Sequence, residues 1–200
     1  MIAGPPRAGK TTLVRYIQYG IFQHAEETQR TYDPIESQRF NLQLGADKKL
    51  EVSVKTAVDL PGQYGVPLAD AVFERRPHAL VILLDVSREL DGDDDGGVPC
   101  AGWLTNFCIR FDQRWLADPG RNRLRCVIVA MNKMDLVPAD AMTTAERAYK
   151  QIMAQHWKAS RGPHTDEPLF RPAVTVENPD GMKWVDSILV DLATSLTRKR

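Results

Sequence analysis

Residues 4–11 read Gly-Pro-Pro-Arg-Ala-Gly-Lys-Thr. They complete the pattern GxxxxGK[ST], in which a glycine-rich turn aims its backbone N–H groups at phosphate oxygens. Nothing else in the chain restricts the fold as tightly. Such a turn works where a strand runs into it and a helix runs out, because the helix N-terminus adds its own donors and positive potential. By base composition the pattern arises by chance in roughly 1 in 100 chains of this length. Met1 to Ala3 read as the end of a first strand, and an unusually short one. Lys10 to about Phe22 read as the following helix, with Leu13, Val14, Ile17 and Ile21 on one face.

Roles within the loop follow from chemistry. Gly4, Pro5, Pro6, Arg7, Ala8, Gly9, Lys10, Thr11 and Thr12 form the candidate phosphate site. Lys10 reaches the β- and γ-phosphates and counts as catalytic, and the Thr11 hydroxyl ligates Mg²⁺. Pro5 and Pro6 remove two N–H donors and fix φ, which predicts a stiff loop. Arg7 reads either as a phosphate neighbour acting as an arginine finger in cis or as a surface charge.

A second tetrapeptide, Asn132-Lys133-Met134-Asp135, ends the apolar run 124–131. A carboxylate at Asp135 can accept from both N1–H and the 2-amino group of guanine. Adenine offers the wrong pattern, and a site built on such pairing rejects it by leaving polar groups unpaired. Lys133 can lay its stem over the base, and Asn132 completes the candidate guanine site. Between the two motifs, Asp59-Leu60-Pro61-Gly62-Gln63 follows a strand pattern. There Asp59 can hold Mg²⁺ through water, the Gly62 N–H can bond the γ-phosphate, and Gln63 can aim an attacking water as a second catalytic residue.

Composition narrows the classes. Lys and Arg number 26 and Asp and Glu 26, so the formal net charge is zero, which gives no footprint for nucleic acid or a polyanion. No apolar run is long enough to span a bilayer. The chain shows no secretory signal, no glycine at position 2 and no cysteine near its C-terminus, so membrane association is expected only through a partner. The basic end 198–200 is short for lipid binding. Cys100, Cys108 and Cys126 have no metal-ligand spacing and fit a reducing, cytoplasmic setting.

Strand-like runs alternating with amphipathic stretches predict an α/β fold in one domain over 1–200. The expected elements are a hairpin (Phe40 to Leu44, Leu50 to Val58), strands at Ala79 to Val86, Leu124 to Met131 and Ala173 to Val176, and helices at Trp103 to Leu116, Thr143 to Lys158 and Trp184 to Leu196. Residues 24–38 and those after Asp59 read as loops, as does 160–172. Residues 88–102 read as a flexible acidic insert; its run 91–97 lacks the closing glutamate of a calcium loop.

Taken together, these motifs resemble the Ras-like small GTPases over nearly the full length. Asp59-Leu60-Pro61-Gly62-Gln63 also looks like the second switch of Arf-like proteins, the signal-recognition-particle receptor β-subunit and MglA-type GTPases. The resemblance implies a three-layer P-loop domain: a six-stranded, mostly parallel sheet with helices on both faces. It implies GTP and GDP as ligands with Mg²⁺, slow hydrolysis, and two switch loops near 29–40 and 61–75 that partners read. It places a guanine-contacting motif at Thr175 and Val176 and a Mg²⁺-ligating threonine in the first switch, where Thr31 is the choice and Thr28 the alternative. Pro6 departs from the small residue usual at its position, and no threonine directly follows Pro34. These departures keep open a GTP-binding scaffold or receptor subunit with little hydrolysis. A P-loop ATPase, with Asp85 at a strand end as its metal-binding carboxylate, is the third reading; the guanine motif speaks against it.

Overall fold

The computed structural model describes residues 1–19, 39–44, 48–53, 65–89, 99–119, 123–157, 167–174 and 179–197. Along them run β1 (Ile2–Ala3), α1 (Lys10–Tyr19), β2 (Arg39–Leu44), β3 (Lys48–Ser53), α2 (Gly65–Arg75), β4 (Ala79–Asp85), α3 (Cys100–Ala117), β5 (Cys126–Asn132), α4 (Ala139–His156), β6 (Leu169–Pro172) and α5 (Pro179–Thr197). Short 3₁₀ turns follow β4 at Val86–Glu89 and β5 at Met134–Leu136.

β1, β4, β5 and β6 form one parallel sheet in the order β1-β4-β5-β6. Its two central strands are apolar until their last residues because both faces are covered. Side chains alternate between two cores, as a period of two requires. Leu80, Ile82 and Leu84 of β4 and Val127, Val129 and Met131 of β5 face α2, α3 and α4. Val81 and Leu83 of β4 and Cys126, Ile128 and Ala130 of β5 face α1 and α5. The result is three layers, helix–sheet–helix.

On the first face an aromatic stripe at helical spacing fills the core. Trp103, Phe107 and Phe111 of α3 stack in succession with centroids 5.3 and 6.1 Å apart, and Trp157, just past α4, stacks on Phe111 at 4.8 Å. Each such pair adds about 0.5–1.5 kcal/mol beyond its buried area. On the second face the Tyr16 hydroxyl of α1 donates to Asp186 of α5 at 3.0 Å. Burial and that acceptor push its pKa up to about 12.

The expected single six-stranded sheet is not what forms among the described residues. Among the described residues β2 and β3 pair with each other, antiparallel, from Arg39↔Ser53 to Leu44↔Lys48. β1 presents two residues to the sheet, paired with β4 as Ile2↔Val81 and Ala3↔Ile82. So short a strand offers almost no second ladder.

Two other expectations shift. The last strand lies at Leu169–Pro172, four residues inside what reads as loop, and Ala173 and Val174 follow it as buried coil. Its place is set by β5, with Ile128↔Leu169 through Met131↔Pro172 and then Ala173 N–H donating to the Met131 carbonyl at 2.7 Å. Pro172 is tolerated because β6 is an edge strand. The segment expected as loop after Gly65 contains the helix α2, with Pro67 in its first turn, where a missing N–H costs nothing.

Candidate functional site

The phosphate loop occupies the C-terminal end of β1 and the start of α1. Gly4 has φ +153° and lies so close to β4 that a Cβ there would sit 2.1 Å from the Leu83 carbonyl oxygen. Gly9 has φ +89°, also outside the range of most side chains. Lys10 is buried, and its ammonium arches back to donate to the Pro5 carbonyl at 2.8 Å. Ala8 N–H closes the same turn onto Pro5 at 3.4 Å, and the Leu13 N–H starts the helix ladder on Gly9 at 3.0 Å. Thr11 and Thr12 stand half-buried in the first turn of α1, while Arg7 is exposed at the crest.

The tetrapeptide Asn132-Lys133-Met134-Asp135 leaves the C-terminal end of β5, two strands away in the same sheet. Asn132 is fully buried, and its side-chain amide donates to the Ala8 carbonyl at 2.9 Å. This bond joins the two motifs across 124 residues of sequence. Lys133 then takes left-handed backbone, φ 60° and ψ 35°, which turns the chain into the 3₁₀ turn holding Asp135. Asp135 is exposed. Among the described residues three non-glycine residues have positive φ, namely Arg7, Arg76 and Lys133. Two of the three sit in these loops. Each such conformation costs about 1–2 kcal/mol, which the surrounding bonds must hold in place.

The end of β4 lies between the two loops. Asp85 is fully buried, and one of its oxygens pairs with the Lys133 ammonium. The other accepts from the Ser87 N–H at 3.1 Å and from the Ser87 hydroxyl at 2.5 Å. From the same turn Arg88 donates to the Pro6 carbonyl at 3.3 Å. Neither contact is announced by a motif. The one sequence signal is a lone carboxylate closing an otherwise apolar strand.

The structure therefore brings the segment Gly4, Pro5, Pro6, Arg7, Ala8, Gly9, Lys10, Thr11 and Thr12 together with Asn132, from which Lys133 and Asp135 follow in the chain. Thr28, Thr31, Asp59, Gly62, Gln63, Thr175 and Val176 lie outside the described residues. No group of three His, Cys, Asp or Glu side chains gathers to hold a metal among the described residues. The donor present is the Thr11 hydroxyl beside the loop, and this fits a Mg²⁺ ion that takes most of its oxygens from phosphate and water. Among the described residues no helix is long and apolar enough to cross a membrane.

No protein-family model matches the chain, and no curated protein matches it. Solved structures do. The elongation factor SelB of Methanococcus maripaludis with the GTP analogue GppNHp superposes with a TM-score of 0.55 at 16% identity, over 100% of this chain and 33% of that one. A bacterial selenocysteine-specific elongation factor gives 0.57 at 14% identity, over 100% of this chain and 28% of its own. The chain thus spans about a third of these factors. The signal-recognition-particle receptor subunit SRb of Chaetomium thermophilum, with GDP and Mg, gives 0.53 at 17% identity, with 95% and 96% covered. The chain has the fold of P-loop GTPase domains.

Proposed function

We propose that this domain binds guanine nucleotide with Mg²⁺ and hydrolyses GTP to GDP and phosphate as a switch. The observation that carries the reading is the Asn132–Ala8 bond. It ties the loop proposed to hold phosphate to the start of the loop proposed to read guanine, which supports one ligand engaging both. Lys10 and the loop amides hold the phosphates; Asp135 reads the base. Bound Mg²⁺ would be held by Thr11, with Asp59 and Thr31 as further ligands, and would neutralise phosphate charge. Gln63 would orient the attacking water, with the Gly62 amide at the γ-phosphate. Catalysis of this kind is positioning and charge stabilisation. Thr175 and Val176, just beyond β6, would border the base. The segments near 29–40 and 61–75 are the surfaces a protein partner would read, in the cytoplasm.

Pro6 motivates a second reading, a GTP-binding scaffold with little turnover. Its ring removes a donor from the loop, and Arg88 holds its carbonyl.

Single-turnover hydrolysis of GTP with Mg²⁺, with ATP as competitor, tests both. Hydrolysis that excess ATP leaves intact, and that Gln63→Leu slows, is the expected result. Tight GTP binding without turnover selects the scaffold. Equal competition by ATP overturns the guanine reading.

A further inference from the structure

Base recognition needs more than Asp135 itself, because an exposed carboxylate on a 3₁₀ turn recognises nothing unless the turn is held. The Asn132 amide anchors the start of the turn to the phosphate loop. The next residue, Lys133, carries the left-handed kink that aims the chain toward Asp135. Its ammonium is the group that β4 holds, through Asp85. In the sheet register Asp85 stands directly opposite Asn132, so the two strand ends meet at the level where the base loop begins.

The Asp85 carboxylate is itself fixed. The Ser87 N–H and hydroxyl hold the oxygen that Lys133 does not use, and the Asp85 backbone carbonyl accepts from the Cys100 thiol at 3.3 Å. With no exposed surface, the side chain has no solvent alternative. The carboxylate is the one charged side chain of β4 and closes a strand whose other residues are apolar. A buried charge is costly to keep, and its best-attested use is to fix register rather than to add stability.

We propose that Asp85 is a positioning residue for base specificity. It holds Lys133 in its left-handed turn and thereby sets Asp135 where guanine's N1–H and 2-amino group both reach it. This role rests on the guanine reading above. Asp85 acts through Lys133 and touches neither base nor phosphate.

The test compares GDP with inosine diphosphate, which keeps N1–H and lacks the 2-amino group. Affinities for both, and for ADP, are measured on the full chain as wild type, Asp85→Asn, Lys133→Met and the double variant. Asp85→Asn keeps shape and removes charge. It should weaken GDP about tenfold and inosine diphosphate clearly less, so that the ratio between them narrows. The double variant should be no worse than the weaker single, since both break one pair. In an Asp135→Ala background Asp85→Asn should leave the ratio unmoved. A purely structural role would lower the melting temperature while keeping the wild-type ratio, and that result overturns the proposal. Lys133→Met interrogates the same pair from a half-exposed side chain if Asp85→Asn does not fold. Should wild type show no preference for GDP over ADP, the guanine reading fails first and the positioning role with it. Preference retained with an unchanged ratio in Asp85→Asn and Lys133→Met removes the positioning role alone.

Discussion

Asn132 serves two ends from one position. Its backbone closes β5 in register with Asp85, and its amide satisfies the buried Ala8 carbonyl of the phosphate loop. Replacing it by alanine leaves that carbonyl without its partner, at a cost of about 1–3 kcal/mol. Asn132→Ala should therefore lower the urea midpoint and also weaken GDP, as parallel unfolding and binding titrations would show; a loss of stability with unchanged GDP affinity would contradict a shared site. At this scale the sequence was informative wherever chemistry leaves few substitutes. Gly4 and Gly9 stand where backbone geometry admits little else; Lys10 is marked by its spacing to them, and Asn132 and Asp135 by the tetrapeptide they bound. Asp85 and Arg88 were not legible in that way. Asp85 reads as the end of a buried strand, with a metal carboxylate as the lesser alternative, and its true partner lies 48 residues away. Arg88 touches Pro6 over 82 residues and belongs to no local pattern.

Among elements, the pairing of α2 with α3 bears most directly on the proposed switch, since α2 follows Asp59 and Gln63 in the sequence. Asp70 of α2 takes Arg110 of α3 in a two-pronged bond, 3.0 Å on each arm, and also meets Arg114 at 3.2 Å. Arg114 lies over the Phe73 ring at 5.2 Å. These groups are about a third exposed, so the ion pairs contribute modestly and orient the helix more than they stabilise it. The tighter constraint is Gly65 at the first position of α2. A Cβ there would lie 2.9 Å from the Trp103 carbonyl oxygen and 3.0 Å from the Phe107 nitrogen, both backbone atoms that cannot turn aside. Gly65→Ala should push α2 off α3 at a cost of about 1–3 kcal/mol, seen as a lower thermal midpoint. A midpoint equal to wild type would show that the helices slide freely. α2 escaped the sequence reading because Pro61, Gly62, Gly65 and Pro67 cluster at its start as a loop would. Its apolar face, Leu68, Ala69, Val72 and Phe73, is nonetheless at helical spacing. β6 was misplaced for another reason. Ala173 to Val176 has the better strand composition, but the length of β5 decides which residues pair.

Among the described residues two cores lie on either side of a four-stranded sheet, and the candidate site sits where strand ends from three separate chain segments meet. Ligand binding at such a place should stabilise the molecule globally. At about 100 times its dissociation constant GDP with Mg²⁺ adds ~2.7 kcal/mol. For a domain of this size that raises the melting temperature by about 5–10 °C. A thermal shift with GDP, smaller on removing Mg²⁺ and absent with ADP, is the expected pattern; an equal shift with ADP would argue against base selection. The α/β class and the alternation of buried strands with helices were legible from the sequence, because parallel strands covered on both faces must be apolar throughout. The division of the described strands into a four-stranded sheet and a β2–β3 hairpin was not, since β1 presents only two residues.

The 124-residue span of the Asn132–Ala8 bond has a consequence for how the domain comes into being. Residues 4–11 are synthesised before the tetrapeptide at 132–135, which follows them by that span. During that interval β1 lacks even its β4 neighbour for most of the time, and contacts this distant are slow to close. The nascent loop is therefore incapable of selecting a nucleotide until β5 has been laid beside β4. On the proposed reading, guanine affinity arises only once β5 lies beside β4.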